Sequence, residues 1–224
     1  MLARIVDAVS PAPADFLVEI GPGEGALTRP LLERVTSLHV IEVDRDLAAG
    51  LRETEGVTVH EGDALEFDYA AFPEGMRLVG NLPYNISTPL LFHLARYAAR
   101  VRDMHFMLQK EVVQRMVAAP STPDYGRLSV ALQARFRMEK LFNVAPGAFR
   151  PPPKVESAVV RLRPLPTLLK IDEDLLRRAF SARRKQLRNA LPDVDFARAG
   201  IDPQLRPENL SPEDYARLSM NSIL

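Results

Sequence analysis

The chain has 224 residues, 46% of them hydrophobic and 26% charged, with 29 basic and 29 acidic side chains. That is the composition of a globular protein long enough to bury a core, and the absence of cysteine excludes disulfides, thiolate metal centres and a cysteine nucleophile. The even charge hides a division: residues 1–80 carry 6 basic and 15 acidic side chains, whereas residues 81–188 carry 20 and 8. Such asymmetry points to a polyanionic partner for the middle of the chain, although an uneven solvated surface has the same signature.

The N-terminal MLARIVDAVS mixes charge with apolar positions and is followed by PAPAD, so it does not read as a secretory signal. No stretch is apolar for long enough to span a membrane, and a cytoplasmic protein with no membrane partner is expected. His39, His60, His93 and His105 are far apart in the sequence and never at i, i+4, so no metal site is expected.

FLVEI (16–20) reads as a buried strand ending at Gly21, Gly23 and Gly25. A helix with Leu27, Leu31, Leu32 and Val35 on one side follows, then the strand SLHVIEV (37–43) and a short helix through Leu47 and Leu51. VTVHEGD (57–63) and MRLVGNL (76–82) are the third and fourth strands. Ser87 or Thr88 caps a helix through Leu90, Leu91, Leu94 and Tyr97, with Pro89 in its first turn. MHFMLQ (104–109) is a fifth strand leading into the helix KEVVQRMVAA. After the loop 119–126 come a helix, GRLSVALQARF, and strands near 140–144 and 158–162, separated by the proline-rich APGAFRPPPK. Beyond residue 167 the pattern is helical only: 172–182, about 183–191 and 212–220. Strand–helix alternation predicts an α/β, Rossmann-like, mainly parallel sheet over 1–166, and a small all-helical domain over 167–224.

A glycine loop between a first strand and its helix suits a nucleotide-like ligand. Gly21-x-Gly23-x-x-Ala26 also satisfies the dinucleotide pattern, with Glu42 near the ribose-binding distance, so a nicotinamide enzyme competes at this point. The carboxylates of Glu19 and Glu24 would repel a pyrophosphate and attract a cation. Glu19, Glu42 and Asp63 end three consecutive strands, and together they suit a ligand with a positive charge, a ribose and an adenine but no phosphate. S-adenosylmethionine is that ligand.

The fourth strand runs into Asn81-Leu82-Pro83-Tyr84. An exocyclic adenine amine is a poor nucleophile because its lone pair is delocalised into the ring. Two acceptors, the Asn81 side-chain oxygen and the Leu82 carbonyl, can hold its N–H groups and aim the lone pair at a methyl donor. Pro83 stiffens the turn, and Tyr84 offers a face for stacking. Catalysis then consists of alignment and electrostatic support, with no strong base.

In this order, Glu19–Gly25, Glu42, Gly62-Asp63-Ala64 and Asn81–Tyr84 look like the motifs of an adenine-N6 methyltransferase. With NLPYNISTPLLFHL, MHFMLQKEVVQRM, YGRLSV, FRPPPKVESAVVRL and ARRKQLRNAL, the chain from about residue 16 onward resembles one family, the bacterial small-subunit ribosomal RNA adenine dimethyltransferases whose loss gives kasugamycin resistance. The resemblance implies dimethylation of two neighbouring adenosines near the 3′ end of the small-subunit RNA, in a late assembly intermediate. It implies a cofactor site at Glu19, Gly21, Gly23, Glu42, Asp63, Ala64 and Asn81, and Phe149 stacking on the target base opposite Tyr84. Arg177, Arg178, Arg183, Arg184, Lys185 and Arg188, with Arg150 and Lys154, are expected to follow RNA phosphates, Arg184 and Arg188 sharing one helical face. A monomer is expected. Family members also carry a Gly-Gln-x-Phe-Leu element ahead of the first helix, which this sequence lacks. The alternatives are the antibiotic-resistance dimethyltransferases of large-subunit RNA, non-catalytic assembly factors, and the mitochondrial transcription-factor relatives that only bind nucleic acid.

Overall fold

The computed structural model describes residues 1–148 and 155–221. It begins with a helix that the sequence reading did not include, α1 (Leu2–Val9), which buries Ile5, Val6 and Val9 on one side. Ser10 closes it in the left-handed region (φ 46). The strand β1 (Leu17–Ile20) is buried along its whole length. It leads through the glycine loop into α2 (Thr28–Leu32), β2 (Leu38–Glu42) and α3 (Arg45–Arg52). Asp44 starts α3 by accepting the amides of Asp46 and Leu47, as an N-cap carboxylate should.

Next come β3 (Val57–Glu61), β4 (Met76–Asn81), α4 (Ser87–Ala95), β5 (Val101–Gln109) and α5 (Lys110–Val117). They are followed by α6 (Arg127–Gln133), β6 (Phe136–Val144) and β7 (Ser157–Pro164). The seven strands stand in the order β3-β2-β1-β4-β5-β7-β6. The first five are parallel, and β7 runs antiparallel to β5. The chain therefore moves outward from β1 to β3 and returns to β4 on the other side of β1. At such a reversal the carboxyl ends of neighbouring strands open a crevice, where open α/β sheets bind their ligands.

The core cluster joins Leu17, Val40, Val79, Met107 and Val159 of the sheet with Ile5, Val6 and Val9 of α1 and Leu31 of α2. A buried cation fastens α1 to this sheet. Arg77 of β4, 4% exposed, donates to both carboxylate oxygens of Asp103, to Asp15, and to the carbonyls of Val9 and Ser10. The last carbonyls of a helix have no partner within it, and Arg77 supplies one for α1.

The chain forms two compact units, one of residues 1–113 with 138–164 and one of 114–137 with 165–224. Residues 114–137, expected with the sheet, thus belong to the helical unit. That unit is completed by α7 (Glu173–Ser181), α8 (Leu187–Ala190), α9 (Phe196–Ala199) and α10 (Pro212–Met220). Its buried Tyr125 and Tyr215 hydroxyls donate to the carbonyls of Leu210 and Pro207, and Leu175, Leu176, Leu187, Leu191 and Leu218 are buried. The expected helix over 183–191 is shorter than its sequence pattern. Residues 183–186 lie outside a helix, and only 187–190 are helical. Arg184 and Arg188 therefore do not share a helical face. Among the described residues no helix is long and apolar enough to cross a membrane.

Candidate active site

The glycine loop has the conformation its composition requires. Gly21, Gly23 and Gly25 have φ of 65, 58 and 79 degrees, in the left-handed region where a side chain is strained. The loop is tied to the neighbouring strand, since Gly21 N–H donates to the Ile41 carbonyl and Gly23 N–H donates to Glu42 Oε2 at 3.1 Å. The other Glu42 oxygen accepts from the Asp44 amide at 2.9 Å. Glu42 is only 7% exposed, yet among the described residues each of its oxygens accepts one bond and keeps a lone pair for a further donor.

Glu19 lies deeper, 1% exposed, with Oε2 accepting from the Thr28 hydroxyl at 2.6 Å. Burial pushes its carboxyl up to about 7, against the lowering effect of the Thr28 hydrogen bond, and the nearby Glu42 charge raises it further. Gly62 N–H reaches the Glu42 carbonyl, which joins the end of β3 to that of β2. The exposed Asp63 carboxylate accepts from the Leu65 amide, and Ala64 beside it is buried. The three carboxylates expected at strand ends are thus all at the carboxyl edge of the sheet, although Glu19 is buried and Asp63 is open to solvent.

The Asn81 turn stands beside this loop: a Cβ on Gly21 would lie 3.9 Å from Pro83 Cδ. Asn81 is exposed, and no hydrogen bond holds its carboxamide among the described residues. Leu82 is buried, its N–H donates to the Met107 carbonyl at 3.2 Å, and its own carbonyl accepts no bond among the described residues. Both expected acceptors are therefore available on a fixed turn. Ile86 N–H to the Pro83 carbonyl closes the turn. Ser87 does not cap α4, whose N-cap position is Ile86. Its hydroxyl instead donates to the Tyr84 carbonyl at 3.1 Å.

Sequence reasoning missed four contributors. Gly80 lies where β1 and β4 come so close that a Cβ would meet the Ile20 carbonyl oxygen at 2.6 Å, and a glycine inside an apolar strand was its signal. Thr28 holds Glu19, and Ser157 lies 2.8 Å from the Tyr84 phenol oxygen. Val43, 66% exposed just after Glu42, is an apolar side chain open to solvent. A cavity of about 210 Å³ adjoins the loop and is lined by Gly23, Gly25, Thr28, Arg29, Leu47 and Leu51 among others, not by the Asn81 turn.

The histidines that are distant in sequence meet in part, because neighbouring strands bring His39 Nδ1 within 3.0 Å of His60 Nε2. No group of three or more histidine, aspartate or glutamate side chains among the described residues is placed to hold a metal.

The basic segment divides into engaged and open side chains. Arg177 pairs with Asp174, Arg178 with Asp174 and Asp193, and Arg183 with Glu208 and the Pro123 carbonyl. Arg184, Lys185 and Arg188 are exposed and form no ion pair among the described residues. Phe149, Arg150 and Lys154 lie outside the described residues.

Comparison with known proteins finds relatives along nearly the whole chain. A relative from Aromatoleum aromaticum, described as ribosomal RNA small subunit methyltransferase A, is 59% identical over 98% of this chain and 88% of its own length. One of the same description from Thiobacillus denitrificans is 58% identical over 96% and 89%. Among solved structures, a dimethyladenosine transferase from Plasmodium falciparum superposes with a TM-score of 0.79 at 27% identity, covering 97% of this chain and 93% of that one. The 23S rRNA methyltransferase ErmE gives 0.68 at 28% identity, covering 98% and 95%. The family described as ribosomal RNA adenine dimethylase matches residues 1–222, and the chain belongs to it.

Proposed function

We propose that the protein methylates the N6 amines of two adjacent adenosines in the 3′-terminal hairpin of small-subunit ribosomal RNA, giving N6,N6-dimethyladenosine in a late assembly intermediate. The observation that carries this reading is the pair of free acceptors, the Asn81 carboxamide and the Leu82 carbonyl, on a rigid turn beside the glycine loop. The curated relatives at 58–59% identity favour the small-subunit substrate over the large-subunit one of ErmE at 28%.

The donor set suits S-adenosylmethionine. Glu42 has acceptor capacity for ribose hydroxyls, the glycines let the backbone approach, Asp63 can accept from an adenine amine, and Val43 gives the ring an apolar face. When bound, this cofactor supplies an electrophilic methyl group. The chain's own residues then do three things. Asn81 Oδ1 and the Leu82 carbonyl accept the two N–H bonds of the target amine, which localises its lone pair. The same two oxygens stabilise the positive charge that the nitrogen gains on methylation. The proton becomes acidic at that moment and leaves to water, so no buried base is needed. Tyr84 and Phe149 hold the unstacked base between their faces.

Arg184, Lys185 and Arg188 are exposed cations of the helical unit that are open to RNA phosphates. The double charge reversal R184E/R188E is expected to lower small-subunit affinity about tenfold or more and to reduce the slope of log affinity against log salt by about 2, with cofactor affinity unchanged. Titrations at several salt concentrations read this, and an unchanged slope puts the RNA surface elsewhere.

A further inference from the structure

Two fully buried serines flank Tyr84, and neither belongs to the acceptor pair. Ser87 holds the residue's backbone by donating to its carbonyl. Ser157 holds the other end, its hydroxyl 2.8 Å from the phenol oxygen with either group able to donate. A hydroxyl buried without a partner is costly, so the fully buried Ser157 holds to this bond and through it restrains the half-buried Tyr84 ring.

The two partners differ in how firmly they are mounted. Ser157 is paired with Gln109 in the β5–β7 ladder. The preceding Glu156 accepts the Lys110 amide on its carbonyl and the Lys110 ammonium on its carboxylate. Tyr84, by contrast, is half-buried on the turn after β4. Its ring would otherwise be free to reorient about two side-chain torsions.

We infer that Ser157 is a positioning residue, whose hydroxyl fixes the Tyr84 ring so that the target adenine is received with its amine between Asn81 and Leu82. The inference rests on the proposed stacking role of Tyr84. A ring already held in place loses no freedom when the base arrives, and small errors of alignment between amine and methyl donor are expensive in rate.

The test is a cycle of Ser157→Ala, Tyr84→Phe and the double variant, with Tyr84→Ala beside it. Methyl transfer to unmodified small subunits is measured with kcat and KM separated, at a temperature where all variants are folded, and cofactor affinity is measured by calorimetry. Each single variant is expected to lower kcat about tenfold, and the double variant no further, because one shared hydrogen bond is lost each time. Cofactor affinity stays unchanged and Tyr84→Ala falls lower still. A single variant with normal kcat, or single effects that multiply in the double, overturns the inference, since a merely structural serine would not couple to the phenol in kcat. If Ser157→Ala does not fold, Tyr84→Phe decides alone by the same tenfold criterion. Normal turnover by Tyr84→Ala removes the stacking role itself. An inactive Tyr84→Ala with active Tyr84→Phe and Ser157→Ala removes only the positioning.

Discussion

Asn81→Ala is expected to reduce methyl transfer by roughly 10²–10³, the usual cost of removing one preorganised polar group that stabilises transition-state charge. The loss should appear in kcat, with small-subunit affinity close to normal. Asn81 is exposed and its carboxamide supports no hydrogen bond among the described residues, so the fold does not depend on it. Its neighbours make the same point by contrast: Leu82 is buried and bonded to β5, and Pro83 anchors the turn through its carbonyl. Asn81→Asp keeps an acceptor oxygen and is expected to retain more turnover than the alanine variant. Single-turnover rates check both, and full activity in Asn81→Ala would remove the carboxamide from the mechanism.

The second large effect concerns stability. Arg77→Met is expected to destabilise the fold by about 3–5 kcal/mol, because removing one partner of a buried ion pair leaves uncompensated charge behind. Asp103 is 6% exposed, Asp15 is also largely buried, and the Val9 and Ser10 carbonyls lose their donor together with them. The pH dependence follows the same residues. Burial tends to raise the Asp15 carboxyl, but the Ala12 amide and the Arg77 and Arg102 guanidinium groups outweigh it and hold it below the usual 3.8. A carboxyl lowered in this way adds stability above its ordinary value, and that stability is lost as pH falls through the lowered one. The Arg77 variant should therefore lose less on acidification than the native chain. Urea unfolding at neutral and acid pH reads both parts, and a neutral-pH loss below about 1 kcal/mol would contradict the role given to the network.

The strands and the order of the site motifs were legible in the sequence for a physical reason. Parallel strands read as short, mainly apolar runs, here interrupted by single polar residues such as Glu19 in β1, His39 in β2 and Arg77 in β4. Each run is closed by a polar residue or glycine: Gly21 after β1, Glu42 at the end of β2, Glu61 at the end of β3 and Asn81 at the end of β4. What was not legible depends on partners distant in the chain. The helix α1 is secured by Arg77, 68 residues beyond Val9, and nothing local announces that contact. Ser157 gains its meaning only when β7 is laid beside β5 and its hydroxyl meets Tyr84 across 73 residues. Gly80 showed in the sequence only as a lone glycine in an apolar strand, a signal that looks the same whether or not another backbone crowds it. The helix expected over 183–191 fails on tertiary grounds. Arg183 is drawn to Glu208, and the amides of Leu187 and Arg188 go to the carbonyls of Leu205 and Pro203 instead of to the preceding turn. Local periodicity cannot anticipate such competition.

The activity assigned to the chain is dimethylation of small-subunit ribosomal RNA at adenine N6. It is tested most directly by transfer of labelled methyl from S-adenosylmethionine to small ribosomal subunits from a strain lacking the modification, with fully modified subunits as control. Incorporation should approach about four methyls per unmodified subunit, two on each flipped adenine, with none in the control. Equal labelling of both subunit preparations, or none in either while the unmodified subunits are still bound, would contradict it.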